Sequence, residues 1–188
     1  MKSLFRSLRV WVAAVGITLL FTGCIGSGSV IDPSVIPHET YYTQCNMHSD
    51  RGKVDTVNYL VGTKIPVNSK VTITKSTSKA IFFNYRGRTI KLTNREKFSG
   101  LDIVGVFERY FGKKPVNLKQ FNKIERKGIR LGRALVGMRK KAVLVALGYP
   151  PAHRTPDLEA NEWRYWRNRW DTYLVIFNEH GKVIAIEN

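Results

Sequence analysis

The chain has 188 residues, which is enough for one medium domain or two small ones. Its hydrophobic fraction of 43% is ordinary for a folded protein, so most of the chain is expected to bury a core rather than remain disordered. The 31 lysines and arginines against 14 acidic residues give a formal net charge of +17. A field of this sign favours anionic partners: nucleic acid, anionic lipid headgroups, lipopolysaccharide phosphates or acidic cell-wall polymers.

The first 23 residues predict an export signal. Their positive charges are Lys2, Arg6 and Arg9. Residues 10–21 follow as an uncharged apolar run, which has the length of a secretory signal. It is too short to span a bilayer comfortably as a helix, because a span needs roughly 20 apolar residues. An uncleaved membrane anchor, or a plain secretory signal, is the alternative interpretation.

The signal ends in Leu20-Phe21-Thr22-Gly23-Cys24, which resembles the bacterial lipobox. The resemblance implies that the Cys24 sulfur carries a diacylglycerol group and that Cys24 begins the mature protein. The small residues before the cysteine allow a protease to bind this segment as extended backbone. Residues 24–38 are rich in Gly, Ser and Pro near their start, which predicts a flexible tether between the lipid and a folded part.

The lipobox resemblance also implies a location. Ile25 follows the cysteine, whereas an Asp there would favour the inner membrane in enteric-type sorting, so the expected site is the outer membrane, facing the periplasm. From Cys24 onward 28 cations face 14 acids, a net +14. Nucleic acid is not a routine periplasmic partner, so the charge is interpreted as attraction to anionic lipid, lipopolysaccharide or an acidic envelope protein. Cys45 is then unable to form an intramolecular disulfide and is expected to be buried, with interchain pairing or reactivity as alternatives.

Residues 39–115 predict a β-rich, barrel-like domain with a C-terminal helix. Alternating or β-branched segments predict five short strands, at 39–45, 54–60, 70–75, 80–85 and 88–93. Between the last two, Tyr85-Arg86-Gly87-Arg88 predicts a tight hairpin. The stretch 58–73 resembles the opening of a Src-homology-3-like barrel. Ser99 is expected to cap an amphipathic helix that ends at Gly112.

Residues 116–188 predict a second domain, of helices followed by a three-stranded antiparallel meander, so the whole chain belongs to the α+β class. The expected helices cover 117–127, closed by Gly128, and 139–147, capped by Gly148. The expected strands cover 162–167, 172–177 and 182–186.

This second domain resembles the BamE family, also called SmpA/OmlA. The residues that carry the resemblance are Gly132, Gly137-Met138, Val143, Leu147-Gly148, Pro150, Trp163-Arg164-Tyr165, Leu174-Val175-Ile176-Phe177 and Gly181-Lys182-Val183. They cover under a third of the chain. The resemblance implies a lipoprotein fold with helices on a three-stranded sheet, acting as a docking module in the assembly of outer-membrane proteins.

Two basic segments are candidate binding surfaces. The strand at 162–167 alternates aromatic and basic residues, so a tryptophan faces each side and an arginine can stack on the exposed ring. One interpretation is a site for a phosphate headgroup or for an acidic strand of a partner. The alternative is a partly buried sheet whose arginines are only solvated. Eight of the 19 residues at 123–141 are basic, which predicts either attraction to anionic lipid or a solvated helix face. The candidate surface consists of Arg164, Trp166, Arg167, Arg169, Trp170, Arg130, Arg133, Arg139 and Lys140.

The sequence favours a protein without catalytic activity, cofactor or metal. It contains no nucleophile elbow, phosphate loop or zinc-ligand spacing. His153 and Asp157 are the nearest approach to a catalytic pair, and a structural hydrogen bond is the favoured role of His153. The leading hypothesis is a docking or scaffold module. The alternatives are a binding module for anionic lipid, lipopolysaccharide or peptidoglycan, and a cell-wall or lipid-processing enzyme.

Overall fold

The computed structural model describes residues 38–188. The predicted signal, Cys24 and the tether before His38 lie outside the described residues. Within them the chain is mixed α+β, as predicted, with a curled half-barrel sheet and four α-helices. The finer likenesses to a Src-homology-3 barrel and to the BamE family remain predictions.

The first half of the described chain is built on a six-stranded sheet. The strands of this half are β1 (Thr40–Thr43), β2 (Met47–Ser49), β3 (Lys53–Asp55), β4 (Thr63–Ile65), β5 (Lys70–Thr77), β6 (Ala80–Tyr85), β7 (Arg88–Thr93) and β8 (Phe111–Gly112). The order in the sheet is β3-β7-β6-β5-β1-β8, with β3 and β7 parallel and the other pairs antiparallel. Strands β2 and β4 pair separately.

The hairpin between β6 and β7 is confirmed. Arg86 and Gly87 both adopt positive φ, at 50° and 76°, which a two-residue turn of type I′ requires. The prediction for 54–60 is wrong beyond Asp55, because the Asp55 carboxylate accepts a hydrogen bond from the Val57 amide and Asn58 takes a φ of 53°. This local turn ends the strand after three residues.

Two helices follow β7, namely α1 (Glu96–Ser99) and α2 (Ile103–Tyr110). The prediction that Ser99 caps the longer helix is wrong. Asp102 is the cap, and its carboxylate accepts a hydrogen bond from the Gly105 amide at 2.9 Å. Ser99 ends α1, and its hydroxyl donates to the Asn94 side chain. Either residue type can cap a helix, so only the backbone path decides between them.

The second half consists of a 3-10 turn, two helices and a three-stranded sheet. The elements are the turn Leu118–Gln120, α3 (Lys123–Leu131), α4 (Lys140–Leu147), β9 (Glu162–Trp166), β10 (Thr172–Phe177) and β11 (Val183–Glu187). The sheet is an antiparallel meander in the order β11-β10-β9. The predicted strands and the helix before them are confirmed to within one or two residues at each end.

The bounds predicted for α3 are wrong at both ends. Asn122 and Glu125 form a reciprocal capping box that starts the helix, and Gly132 ends it with a φ of 70°. Gly128 lies inside the helix rather than closing it. A Cβ atom at Gly128 would overlap Met138 Sδ, so this glycine provides room for a side chain of the core.

Each half has its own hydrophobic cluster, but the two clusters meet. The buried residues of the first include Ile73, Phe83 and Leu92, and those of the second include Met138 and Trp163. Leu60 and Val67 belong to the first half by sequence but pack against the second cluster.

Two buried asparagines join the halves. The Asn46 side-chain amide donates to the carbonyl oxygens of Ile129 and Ala146, at 2.8 and 2.9 Å, and its oxygen accepts from the Val67 amide at 2.8 Å. The Asn58 side-chain amide donates to the Leu147 carbonyl oxygen at 2.5 Å. These carbonyls lie in the last turns of α3 and α4, where a helix supplies no donors of its own. The first half thus supplies hydrogen bonds that the helices of the second half need.

Candidate functional site

The aromatic and basic strand forms the first arm of the β9–β10 hairpin, and its predicted alternation is confirmed. Trp163 and Tyr165 are buried beneath the helices, at 0% and 2% exposure. Arg164 and Trp166 are half-buried on the opposite face. One face of the strand therefore serves the core, and only the other is available to a partner.

On that outer face the predicted stack of arginines on Trp166 is replaced by other contacts. The Arg164 guanidinium donates to the Thr172 hydroxyl at 3.0 Å. The Trp166 ring lies 5.5 Å from the ring of His153, which lies 4.6 Å from the ring of Phe98. His153 thus bridges two aromatic rings, and its pKa is lowered, chiefly by partial burial.

The tip of the hairpin carries Trp170, which at 85% exposure is the most exposed large hydrophobic residue of the described chain. The Arg169 guanidinium lies 5.1 Å from the centre of its ring. The Asn168 side chain accepts hydrogen bonds from the Trp170 and Asp171 amides, which fixes the turn. An amphipathic ring and a cation therefore project together on an ordered loop.

Two of the candidate cations are engaged in structural contacts. The Arg139 guanidinium forms two hydrogen bonds, 2.7 and 2.8 Å long, to the carboxylate of Glu125, whose side chain is fully buried. These bonds hold the pKa of Glu125 at about 2, well below its ordinary value. The Lys140 ammonium donates to the Glu159 carbonyl oxygen at 2.6 Å. Both cations therefore stabilise the fold.

Arg130 and Arg133 lie near the end of α3 and are exposed, with no acidic partner among the residues that the structure describes. They do not share one site. Arg130 borders a groove with Pro66 and Leu118, whereas Arg133 lines a cleft together with Arg167. Of the nine candidate residues, Arg133 and Arg167 thus meet in one cavity of the described chain.

The cleft that Arg133 and Arg167 share lies where the two halves meet. Its volume is about 570 Å³. His48 and Leu60 of the first half line it, together with Arg133, Arg167, Tyr173 and Ile186 of the second. It combines cationic, aromatic and aliphatic groups, which is the composition of many ligand sites.

Arg167 is held in place from three sides. Its guanidinium donates to the Asp171 carboxylate at 3.0 Å and to the Asn188 side chain, and it lies 4.6 Å from the centre of the Tyr173 ring. A guanidinium that is already oriented loses less entropy when it binds a further anion. Arg133 is the less neutralised of the two cations.

His48 is the cleft residue that the sequence analysis missed. Its ring nitrogen Nδ1 is buried and has no hydrogen-bond partner among the described residues. Burial, and then the nearby Lys64 cation, lower the pKa of His48, so the ring is neutral at pH 7. The only signal in the sequence is its place in an alternating segment, which gives no hint that a distant arginine lines the same cavity.

A second cavity, of about 670 Å³, lies wholly in the first half. Arg51, Lys64, Arg86 and Arg88 line it. Its arginines are exposed, and Arg51 lies 3.6 Å from the Asp50 carboxylate. Positive charge is therefore spread over both halves.

No family model, curated protein or solved structure significantly matches the chain. Among residues 38–188, no helix is both long and apolar enough to cross a bilayer, and no group of three or more His, Cys, Asp or Glu side chains is arranged to hold a metal ion. The function therefore has to be inferred from the residues of the chain itself.

Proposed function

We propose that this chain is a lipid-anchored protein of the bacterial outer membrane that acts as a docking or scaffold module in the periplasm, without catalysis. The observation that carries the proposal is the Leu20–Cys24 lipobox pattern directly after a short apolar run. A diacylglyceryl cysteine anchors a protein stably, because each buried methylene contributes about 0.8 kcal/mol. The anchor would hold a +14 chain close to anionic partners.

Growth with labelled palmitate tests the anchor. We expect label on the wild-type chain and on Cys45→Ala, and none on Cys24→Ala. Cys45→Ala is the matched control, since Cys45 is 2% exposed within the first hydrophobic cluster and is a poor acceptor for any acyl group. Label that survives Cys24→Ala would refute lipidation at that residue.

A role in outer-membrane protein assembly is the more specific part of the proposal. It is supported by the BamE-like residues, several of which occupy structural positions: Met138 and Trp163 are buried in the second cluster, and Gly148 caps α4. Copurification from solubilised membranes tests it. Recovery of a β-barrel assembly complex with the full chain is expected, and recovery of lipid alone would contradict it.

A binding module for anionic lipid or lipopolysaccharide is the second candidate. The exposed Trp170 beside Arg169 favours it, because indole rings prefer the membrane interface and arginines attract lipid phosphates. Recovery of lipid without protein in the same copurification would favour this candidate.

A further inference from the structure

Strand β11 presents an open edge beside the cleft that Arg133 and Arg167 line. It is an outer strand of the three-stranded sheet. Apart from its ladder with β10, the backbone of β11 forms hydrogen bonds within the described chain only at Val183. The Val183 amide and carbonyl pair with Met138 and Gly137. From Ile184 to the end of the strand, the outer edge is therefore available for pairing. Free edges of this kind accept an additional strand.

Two side chains along this edge are apolar and exposed, and the charged Glu187 ends it. Ile184 is 54% exposed and Ile186 is 39% exposed, and Leu131, which lines the same cleft as Ile186, is 42% exposed. Proteins usually protect a free edge with charged residues, proline or a β-bulge. In β11 the charge is confined to Glu187 and the register shift to Ile184, so the apolar part of the edge is short. An apolar free edge is instead typical of a surface that a partner covers.

The cleft lies at the carboxyl end of this edge, since Ile186 belongs to both. His48 and Leu60 of the first half line the same cleft. A peptide strand that follows β11 toward Ile186 would thus reach Arg133 and Arg167 and meet the other half of the protein. Two guanidiniums at the end of a strand-binding edge are complementary to a carboxylate.

We infer that β11 and the cleft together bind an extended peptide that ends in a free carboxylate. The peptide backbone adds to the edge at Ile184–Ile186, parallel to β11, and its last side chain, an apolar one, packs against Leu60 and Leu131. Arg133 and Arg167 bind the terminal carboxylate. The inference rests on the proposed docking function and names the chemistry of the segment that docks.

The test uses the full chain in a neutral maltoside detergent and the fluorescein-labelled peptide Thr-Val-Thr-Val-Leu, with either a free or an amidated carboxyl end. We expect saturable binding of the free acid by fluorescence anisotropy and at least tenfold weaker binding of the amide. Arg133→Gln should weaken binding of the free acid at least fivefold. Arg88→Gln, which removes the same charge from the second cavity, should leave it unchanged.

Hydrogen exchange tests the strand addition separately. Bound peptide should slow amide exchange within 184–187 and leave the amides of β9, the opposite edge strand, unaffected. Equal binding of acid and amide, equal losses in Arg133→Gln and Arg88→Gln, or unchanged exchange in β11 would overturn the inference. Displacement of the peptide by short-chain phosphatidylglycerol at equal concentration would assign the cleft to lipid and also overturn it.

These measurements take place in solution and do not need the anchor. Absence of palmitate label would therefore contradict the anchor but not the peptide site. Absence of peptide binding would contradict the peptide site but not the anchor.

Discussion

The two halves of the molecule satisfy their helix ends differently. In the first half, the last carbonyl of α2, at Tyr110, accepts a hydrogen bond from the Gln44 amide of the same half, at 2.9 Å. In the second half, α3 and α4 receive donors from Asn46 and Asn58, across the junction. The short helix α1 is the exception in the first half, since its Phe98 carbonyl accepts from the Ala152 amide at 2.6 Å. The longer helix of the first half is therefore closed within its own half, whereas both helices of the second half depend on the first. A polar junction between two apolar clusters fixes their relative position more sharply than hydrophobic contact does, because hydrogen bonds are directional.

The largest expected effect comes from removing the Asn46 side chain. Asn46→Ala leaves the Ala146 carbonyl and the Val67 amide without a partner in a buried site. It leaves the Ile129 carbonyl with only the 3.2 Å hydrogen bond from the Gly132 amide. We expect the free energy of unfolding to fall by about 4 kcal/mol, since each unsatisfied group costs about 1–3 kcal/mol. Urea unfolding of the full chain measures it.

The control is Asn84→Ala, which removes one hydrogen bond from the Gly87 amide in the exposed β6–β7 turn. Its cost should stay within about 1 kcal/mol. Thiol labelling in a Cys24→Ala background adds a local readout, because burial shields Cys45 and raises its pKa to about 12. Asn46→Ala should accelerate labelling of Cys45. Equal stability of the two asparagine variants would show that the second half does not depend on the first.

A smaller loss of stability is expected at acid pH, and its cause should be a residue of the second half. Hydrogen bonds from Arg139 lower the pKa of Glu125 from 4.5 to about 2 in the folded chain. Since the unfolded chain takes up this proton first, the contribution of Glu125 is complete above pH 4.5 and is lost as the pH falls toward 2. The loss should be on the order of 3 kcal/mol.

Unfolding free energies measured across this pH range check the prediction. Glu125→Gln should remove that part of the acid dependence. Glu159→Gln is the control, because the Glu159 side chain is 91% exposed and lies 3.8 Å from the Lys140 ammonium. The prediction is wrong if Glu125→Gln keeps the acid dependence of the wild type.

The smallest expected effect is the difference in stability between alanine substitutions at two helical glycines, one in each half. Gly128→Ala in α3 would place a Cβ atom onto Met138 Sδ and 2.8 Å from the Arg133 carbonyl oxygen. We expect a loss of about 2 kcal/mol despite the better helix propensity of alanine. At Gly105 in α2, the atoms nearest to the new Cβ would belong to the Leu101 side chain, at 3.2 Å.

Gly105→Ala should therefore change the stability by no more than about 1 kcal/mol. Thermal or urea unfolding of both variants measures the difference. Equal effects of the two substitutions would mean that α3 is packed no more closely than α2.

Local sequence patterns predicted most of the strands and the helix α4. Alternation marked β5, β6, β7 and β10, and Gly148 with two prolines marked the end of α4. The choice of Asp102 over Ser99 as a cap was not predictable, since both residue types form the same hydrogen bond. The role of Gly128 was also hidden, because the atom that needs its space belongs to Met138, ten residues away.

The candidate site was predictable only as a set of charges. The sequence alone determined that arginines surround a strand of tryptophans and that 123–141 is basic. Only the tertiary structure decided that Glu125 engages Arg139, that Arg133 and Arg167 share a cleft with His48, and that Asn46 joins the halves. Periodicity and turn chemistry act over a few residues, so a sequence displays them directly. Neutralisation of a charge and burial of an amide depend on partners up to 100 residues apart, which only the folded chain brings together.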